Sequence, residues 1–365
     1  MNSTQRHEGP TSDVIDWQQL TEFADHEFLM CLNDSTTGLK AFVGIHSTNL
    51  GPALGGTRFK TYSSETEAIA DVLNLSHAMS YKCALSKLPY GGGKAVIMLD
   101  PNSQISRQDL LASYARLVDK LGGLFKTGTD VGISDVEVLG MAKYTTHMLG
   151  AIPADREGLT TANTAALGVF YAMKPALRRL NGSDSFEAQR IAIKGVGKLG
   201  GELARLITEA GGSVVIADVN EDRCQQLAAT LRNVSVTSPE TIHTEEAIIY
   251  APCALGAEFT PETIPQLRCQ AIVGGANNQL INESAGDQIA ERGIIYAPDF
   301  VANAGGLIYV ADELEPGGFN QQRVRERTMA IEHTMAHIFE QADQQQIAIH
   351  RMADHLAEDI IRGRI

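Results

Sequence analysis

Ile191-Ala192-Ile193-Lys194-Gly195-Val196-Gly197-Lys198-Leu199-Gly200 is the stretch that decides the fold. A short apolar strand runs into a Gly-X-Gly-X-X-Gly turn, and a helical run, Glu202 to Glu209, opens on it. The next apolar run, Ser213 to Ala217, ends on Asp218, roughly 20 residues after the turn. Strand, glycine turn, helix, strand and terminal acid together are far more specific than three glycines alone. The chemistry is that of a dinucleotide site. Gly195 makes the turn, Gly197 lets a pyrophosphate approach, and Gly200 lets helix and strand pack closely. Backbone N–H groups at the helix start hold the phosphates. Asp218 accepts from the adenosine ribose hydroxyls and repels a 2′-phosphate, which favours NAD over NADP. The expected cofactor-binding set is Gly195, Val196, Gly197, Lys198, Leu199, Gly200 and Asp218.

The rest of the second half keeps this rhythm. Short apolar runs at Ala247–Tyr250, Ala271–Val273 and Ile294–Tyr296 alternate with helical segments, as in a parallel, doubly wound α/β sheet. Ala162 to Leu180 reads as an apolar helix that Pro175 should kink or shorten. Gln321 to Arg362 reads as two amphipathic helices. The first half differs. Phe28 to Ile45 reads as a hairpin turning at Asn33-Asp34-Ser35, and Gly51 to Arg58 as a glycine-rich loop. Helices follow from Ser64/Glu67 and Ser134/Glu137 capping boxes and over Arg107–Leu121. Leu149 to Thr161 reads as a linker. The expected fold is therefore α/β with two domains: residues 13–148 for substrate and oligomerisation, and 149–365 as the Rossmann domain with C-terminal helices.

With 365 residues, the chain is long enough for two cores. Its net charge of −14 argues against nucleic acid or an anionic membrane as partner. The five cysteines have no paired metal spacing, which suggests free thiols, a reducing compartment and a cytoplasmic protein with no metal site. Met1 to Asp13 is polar and reads as disordered, with no apolar signal region, and no run reaches membrane length.

The chemistry is sought in Ser80-Tyr81-Lys82-Cys83-Ala84-Leu85-Ser86-Lys87-Leu88-Pro89-Tyr90-Gly91-Gly92-Gly93-Lys94. Lys82 ends an amphipathic helix, bordering its apolar face. Lys94 follows three glycines, read as a turn entering the strand Ala95–Leu99. A phosphate loop is excluded, because it needs Gly in place of Leu88 and Ser or Thr in place of Ala95. A hydroxy-acid dehydrogenase wants a histidine base, and neither His77 nor His147 sits in such a constellation. Two lysines suit oxidative deamination instead. One ammonium pairs with the substrate carboxylate, and one neutral amine activates the water that attacks the iminium. Burial and neighbouring positive charge must depress that amine from its ordinary value near 10.4. Asp130, at a glycine turn, is placed to shuttle protons with the amino group.

These stretches resemble the glutamate/leucine/phenylalanine/valine dehydrogenase family over nearly the whole chain. The resemblance rests on Gly51–Arg58, Met79–Lys82, Gly91–Lys94, Thr129–Gly132, Ala251–Gly256, Asn278–Leu280, Tyr296–Asp299 and Asn303–Gly306. It is closest to the leucine and phenylalanine enzymes. The resemblance implies that Lys82 binds the substrate carboxylate, Lys94 is the base and Asp130 assists proton transfer. It implies that Asn278 helps hold the carboxylate beside the cofactor, that Thr164 meets the nicotinamide amide, and that Gly55 and Gly56 line the substrate site. Leu54, Gly128 and Leu307 stand where neutral-substrate members have their side-chain pocket; Gly128 and Leu307 follow the aromatic-substrate pattern, with the missing methyl at 128 making room. The implied activity is reversible NAD-dependent deamination of L-phenylalanine or another large apolar amino acid by a homo-oligomer. Leucine or valine is the alternative substrate, and an inactive NAD-sensing regulatory protein the alternative class. Asn277 departs from the family, since leucine enzymes usually carry Asp there.

Overall fold

The computed structural model describes residues 23, 25–100, 105–150 and 159–365. The polar N-terminal segment and most of the expected linker lie outside them.

The first sheet is mixed. Antiparallel β1 (Phe28–Asp34) and β2 (Leu39–Ser47) form the expected hairpin. After them come β3 (Ala53–Leu54), β4 (Thr57–Lys60) and α1 (Glu65–Leu85). Next are β5 (Gly91–Met98), α2 (Arg107–Asp119), β6 (Phe125–Gly128), α3 (Asp135–Met141) and β7 (Met148–Leu149). The strand order is β1-β2-β5-β3-β6-β7, with β4 also pairing β5. Alternation along β5 sorts its side chains: Ala95 and Ile97 enter the core under α2, while Val96 enters the core under α1. Burying a side chain such as Ile97 completely contributes about 1.5–3 kcal/mol.

Two readings change here. Gly91, Gly92 and Gly93 are no turn; they are the first three residues of β5. A Cβ on Gly92 would stand 2.1 Å from the Ser80 nitrogen, and one on Gly93 would stand 2.8 Å from the Phe125 ring. The glycines are there so that α1 and β6 can press onto the strand. The Ser64 cap is also half as expected. Ser64 accepts from Glu67 N at 3.1 Å, but the Glu67 carboxylate turns to Ser63 N at 2.7 Å. The Ser134/Glu137 box closes in both directions.

The second sheet begins after α4 (Thr161–Asn181), which runs unbroken through Pro175. Ala172, Met173, Ala176 and Leu177 are fully buried on both sides of the proline, so tertiary packing outweighs the lost backbone bond. Next are β8 (Arg190–Lys194), α5 (Lys198–Glu209), β9 (Ser213–Ala217), α6 (Glu221–Thr230) and β10 (Val234–Val236). They are followed by β11 (Ile249–Pro252), β12 (Ala271–Ile272), α7 (Glu283–Glu291) and β13 (Ile295–Tyr296). The order β10-β9-β8-β11-β12-β13, parallel throughout, is that of a dinucleotide-binding sheet. Its switch point lies at the C-terminal end of β8, where the glycine turn stands.

Last come α8 (Asp299–Ala302), α9 (Gly305–Ala311), α10 (Gln321–Met329), α11 (Ile331–Gln345) and α12 (Ile349–Ile361). The tail is three helices rather than two: Ala330 separates α10 from α11, and Gln346, in the left-handed region at φ 55°, ends α11. Tyr81, Ala84 and Leu85 at the end of α1 join the large core of the second half. That packing brings Lys82 to the junction between the two sheets.

Candidate active site

A cavity of about 320 Å³ lies at this junction. Strands of the first sheet supply Lys94 and Asp130's loop, α1 supplies Lys82, and the second half supplies Asn277, Asn278 and Leu307.

Lys94 is 6 % exposed on β5. Its ammonium donates to Asp130 Oδ2. The other carboxylate oxygen, Oδ1, accepts from Arg58 Nε at 3.0 Å and from Val131 N at 2.6 Å. Burial alone would raise the Asp130 carboxyl, but Lys94 and Arg58 beside it hold it down to about 2. Gly56 makes the arrangement possible: a Cβ there would come within 2.5 Å of Thr129 O and 3.0 Å of Asp130 Cβ. Gly55 packs closer still, 1.7 Å from Gly93 O for the same added atom. Both glycines line the cavity, and what they admit closely is protein backbone.

Lys82 is half-buried and donates to Asn303 Oδ1 at 2.7 Å and Asn277 Oδ1 at 3.3 Å. The Asn303 amide is oriented in turn by donating to Asn277 Oδ1 at 2.8 Å and Gly275 O at 3.3 Å. Burial pulls the Lys82 ammonium down to about 8, against the opposing pull of Asp299. Burial in turn pushes the Asp299 carboxyl up, while its Oδ2 accepts from Gln279 N at 2.9 Å. Asn277, Asn303, Asp299 and Arg58 were not among the expected site residues. All but Asn277 lie in the motif stretches. The available signal there was a charged or amide side chain close to glycines for Arg58 and Asn303, and an acid after proline at the end of an apolar run for Asp299.

Asn278 lines the cavity in the left-handed region, at φ 52°. Leu54 and Leu307 form an apolar wall with Leu149. Gly128 lines it too, but a Cβ there would point at Leu149 O, 2.5 Å away, across the β6–β7 pairing. The missing methyl lets β6 and β7 pair closely beside the cavity. Thr164 also differs from expectation. It is fully buried in α4, its hydroxyl donating to Thr160 O at 2.7 Å, while Thr161, one turn earlier, lines the cavity along with Thr127 and Thr129. His77 packs among His46 and Tyr81, far from any base role.

The nucleotide loop has the expected build. Gly195 takes φ 91°, and a Cβ on Gly200 would fall 1.9 Å from Gly195 O. Gly197 faces open space and caps α5 with no side-chain bond, leaving the first-turn N–H groups to a ligand. Asp218 at the end of β9 accepts from Val196 N at 2.8 Å and Asn220 N at 2.9 Å. A loop with that opening and that acid fits a dinucleotide. Among the described residues no helix is long and apolar enough to cross a membrane, and all five cysteines are free.

Comparison with known proteins agrees over the whole chain. Residues 26–146 match the Glu/Leu/Phe/Val dehydrogenase dimerisation domain, and 158–221 with 216–357 match the Glutamate/Leucine/Phenylalanine/Valine dehydrogenase domain. The chain is 39% identical to phenylalanine dehydrogenase of Bacillus thermotolerans, covering 100% of this chain and 94% of that one. It is 42% identical to valine dehydrogenase of Streptomyces virginiae, covering 91% and 93%. The crystal structure of L-tryptophan dehydrogenase from Nostoc punctiforme superposes with a TM-score of 0.82 at 35% identity, covering 93% and 96%. With the lysine cavity, the glycine loop and these relatives in agreement, the chain belongs to the glutamate/leucine/phenylalanine/valine dehydrogenase family.

Proposed function

We propose that this protein oxidises a neutral L-amino acid reversibly to its 2-oxo acid and ammonium, with NAD as the hydride acceptor. The observation that carries the proposal is the pair of lysines in one cavity, one held by amide oxygens and one ion-paired to a carboxylate.

Lys82 takes the substrate carboxylate, exchanging the Asn303 and Asn277 oxygens for a charged partner, with Asn278 alongside. This orients the α-carbon, and the side chain rests on Leu54 and Leu307. When bound, the nicotinamide supplies the acceptor for the hydride that leaves the α-carbon. Neutral Lys94 then takes a proton from the water that attacks the iminium carbon. Asp130 takes a proton from the substrate ammonium before the hydride leaves and returns it to the amino nitrogen as the C–N bond breaks. The carbinolamine hydroxyl proton goes to the departing ammonia, and Lys94 releases its own proton to solvent. Half-buried, low-dielectric surroundings strengthen each of these contacts relative to water.

Substrate class follows from the wall. Its apolar residues offer no cation for a second carboxylate, which disfavours glutamate, and Leu307 favours a large apolar side chain, phenylalanine first and leucine next. Asp218 favours NAD. The dimerisation-domain match supports a homo-oligomer, and five free thiols suit the cytoplasm.

The test is the initial rate of NAD reduction across L-amino acids, with D-isomers and hydroxy acids alongside. Turnover confined to hydroxy acids, or none with any L-amino acid, would overturn the reading. In the same assay Asp218→Ala is expected to relax the preference for NAD over NADP.

A further inference from the structure

We propose that Arg58 is a positioning residue that sets the proton affinity of Lys94 through Asp130. The inference rests on the deamination reading above. β4 alternates, so Thr57 and Phe59 turn inward while Arg58 and Lys60 face α1. Arg58 thereby bridges two carboxylates: Nε reaches Asp130 Oδ1 at 3.0 Å, and Nη1 reaches Asp71 Oδ1 and Oδ2 at 3.2 and 3.3 Å. Behind it Tyr62 donates to Asp71 Oδ2 at 2.7 Å, and Lys60 stands 3.9 Å from the same oxygen. The guanidinium side chain is only 20% exposed.

The logic is one of counter-charge. Lys94 must lose its proton to act on water, yet its partner Asp130 is a carboxylate that favours the ammonium. If Lys94 were the sole cation beside Asp130, deprotonating it would leave a buried carboxylate alone, which is costly. Arg58 stays charged at any working pH and holds Oδ1 in a fixed direction. It keeps Asp130 ionised after Lys94 turns neutral, and its own charge repels the ammonium form of Lys94. The groups facing Asp130 are Lys94 from β5, Arg58 from β4 and the backbone N–H of Val131. Lys82 from α1 adds a more distant positive charge, and Asp71 and Tyr62 lie beyond Arg58.

The test compares the native full-length protein with Arg58→Gln, Arg58→Lys and Asp71→Asn. One readout is the alkaline-rising limb of kcat. The other is the pH dependence of Lys94 acetylation by trace acetic anhydride, followed by peptide mass spectrometry, which needs no turnover. In Arg58→Gln both limbs are expected to move alkaline by about one pH unit. Well below the limb, kcat then falls about tenfold, while KM for the amino acid and NAD affinity hold. Arg58→Lys, which keeps the charge, is expected to restore most of the shift, and Asp71→Asn to move the limbs toward acid. An unmoved Lys94 labelling limb in Arg58→Gln overturns the proposal, and so does Arg58→Lys shifting as far as Arg58→Gln. If Arg58→Gln does not fold, the absence of an acid shift in Asp71→Asn overturns it. A native protein with no amino-acid turnover sinks the functional reading alone, because the labelling limbs are still measured.

Discussion

Gly91, Gly92 and Gly93 of β5 and Gly197 at the head of α5 occupy the two glycine-rich stretches on which the site is built. Around β5 an added Cβ would strike Ser47 O at 1.9 Å, Ser80 N at 2.1 Å and the Phe125 ring at 2.8 Å. At Gly197 it would meet nothing within 4 Å. The first stretch reads as a turn and the second as a loop that lets a ligand come close. The first is a strand, and Gly197 has the open space a ligand would need. In β5 the close approach is by protein: α1 settles onto the strand and brings Lys82 toward Lys94. A glycine's meaning is therefore set by what stands opposite it, and that partner is remote in sequence.

On the proposed function the two regions divide the work between chemistry and cofactor, which gives the largest expected effect. Lys94→Ala should lower turnover by about 10²–10⁴-fold, the usual cost of a lost general base. NAD affinity, measured by fluorescence titration, should be unchanged, since the lysine acts on the substrate. Near-normal deamination by this variant would remove Lys94 from the role.

The next effect separates the glycines themselves. Gly92→Ala places a methyl 2.1 Å from a helix backbone nitrogen and 2.2 Å from Ser80 Oγ, so α1 must shift. Denaturant unfolding should show a loss of about 1–3 kcal/mol or more, with turnover falling as Lys82 moves. Gly197→Ala has room, at a φ of −65° that alanine accepts. It should leave stability within about 0.5 kcal/mol and weaken NAD binding instead. Equal stability losses in the two variants would erase the distinction between the two glycines.

How much of this was legible follows the same line. The glycine loop was readable because its parts are local: turn, helix start and terminal acid fall within one βαβ unit, and the physics is in the spacing. The lysine cavity was half readable. Lys94 and Asp130 announce themselves by charge next to glycine, and Lys82 by its charge at the border of an apolar helix face. Arg58, Asn303 and Asp299 take their meaning from partners 72, 221 and 20 residues away. The short strand β10 was missed for a related reason. Three residues carry too little alternation to register, and pairing with β9 decides it.

A smaller effect concerns the charge that α1 carries into the junction. The folded protein holds Lys82 at about 8, below the ordinary lysine value of 10.5. Between those two values the unfolded chain keeps a proton that the folded one has released, so stability rises with pH across the window. The buried ammonium's penalty is full below about pH 8 and removed above about 10.5. Against a Lys82→Met control, the native protein should therefore gain relative stability between pH 8 and 10.5 in urea unfolding. A constant gap would mean that Lys82 is not burdened by burial.

The smallest effect tests which side of the glycine comparison Gly128 belongs to. By sequence pattern it belonged with the ligand, as a missing methyl beside the substrate. Its added Cβ would instead stand 2.5 Å from Leu149 O, the neighbouring strand's backbone, so it groups with the glycines of β5. Gly128→Ala should then reduce stability and turnover on all substrates alike, leaving the ratio of kcat/KM for phenylalanine and leucine where it was. Leu307 is different. It stands on α9, borders the cavity and packs with Leu54 and Leu149, so shortening it changes the wall that a substrate touches. Leu307→Val removes one methylene, and selectivity per methylene is about 1–3 kcal/mol, roughly 10–200-fold at most. A half-buried part of the wall should sit at the low end, about a tenfold change in that ratio. A Gly128→Ala variant that shifts the ratio, or a Leu307→Val variant that leaves it unmoved, would exchange the roles of the two residues and make Gly128 the one that sets selectivity.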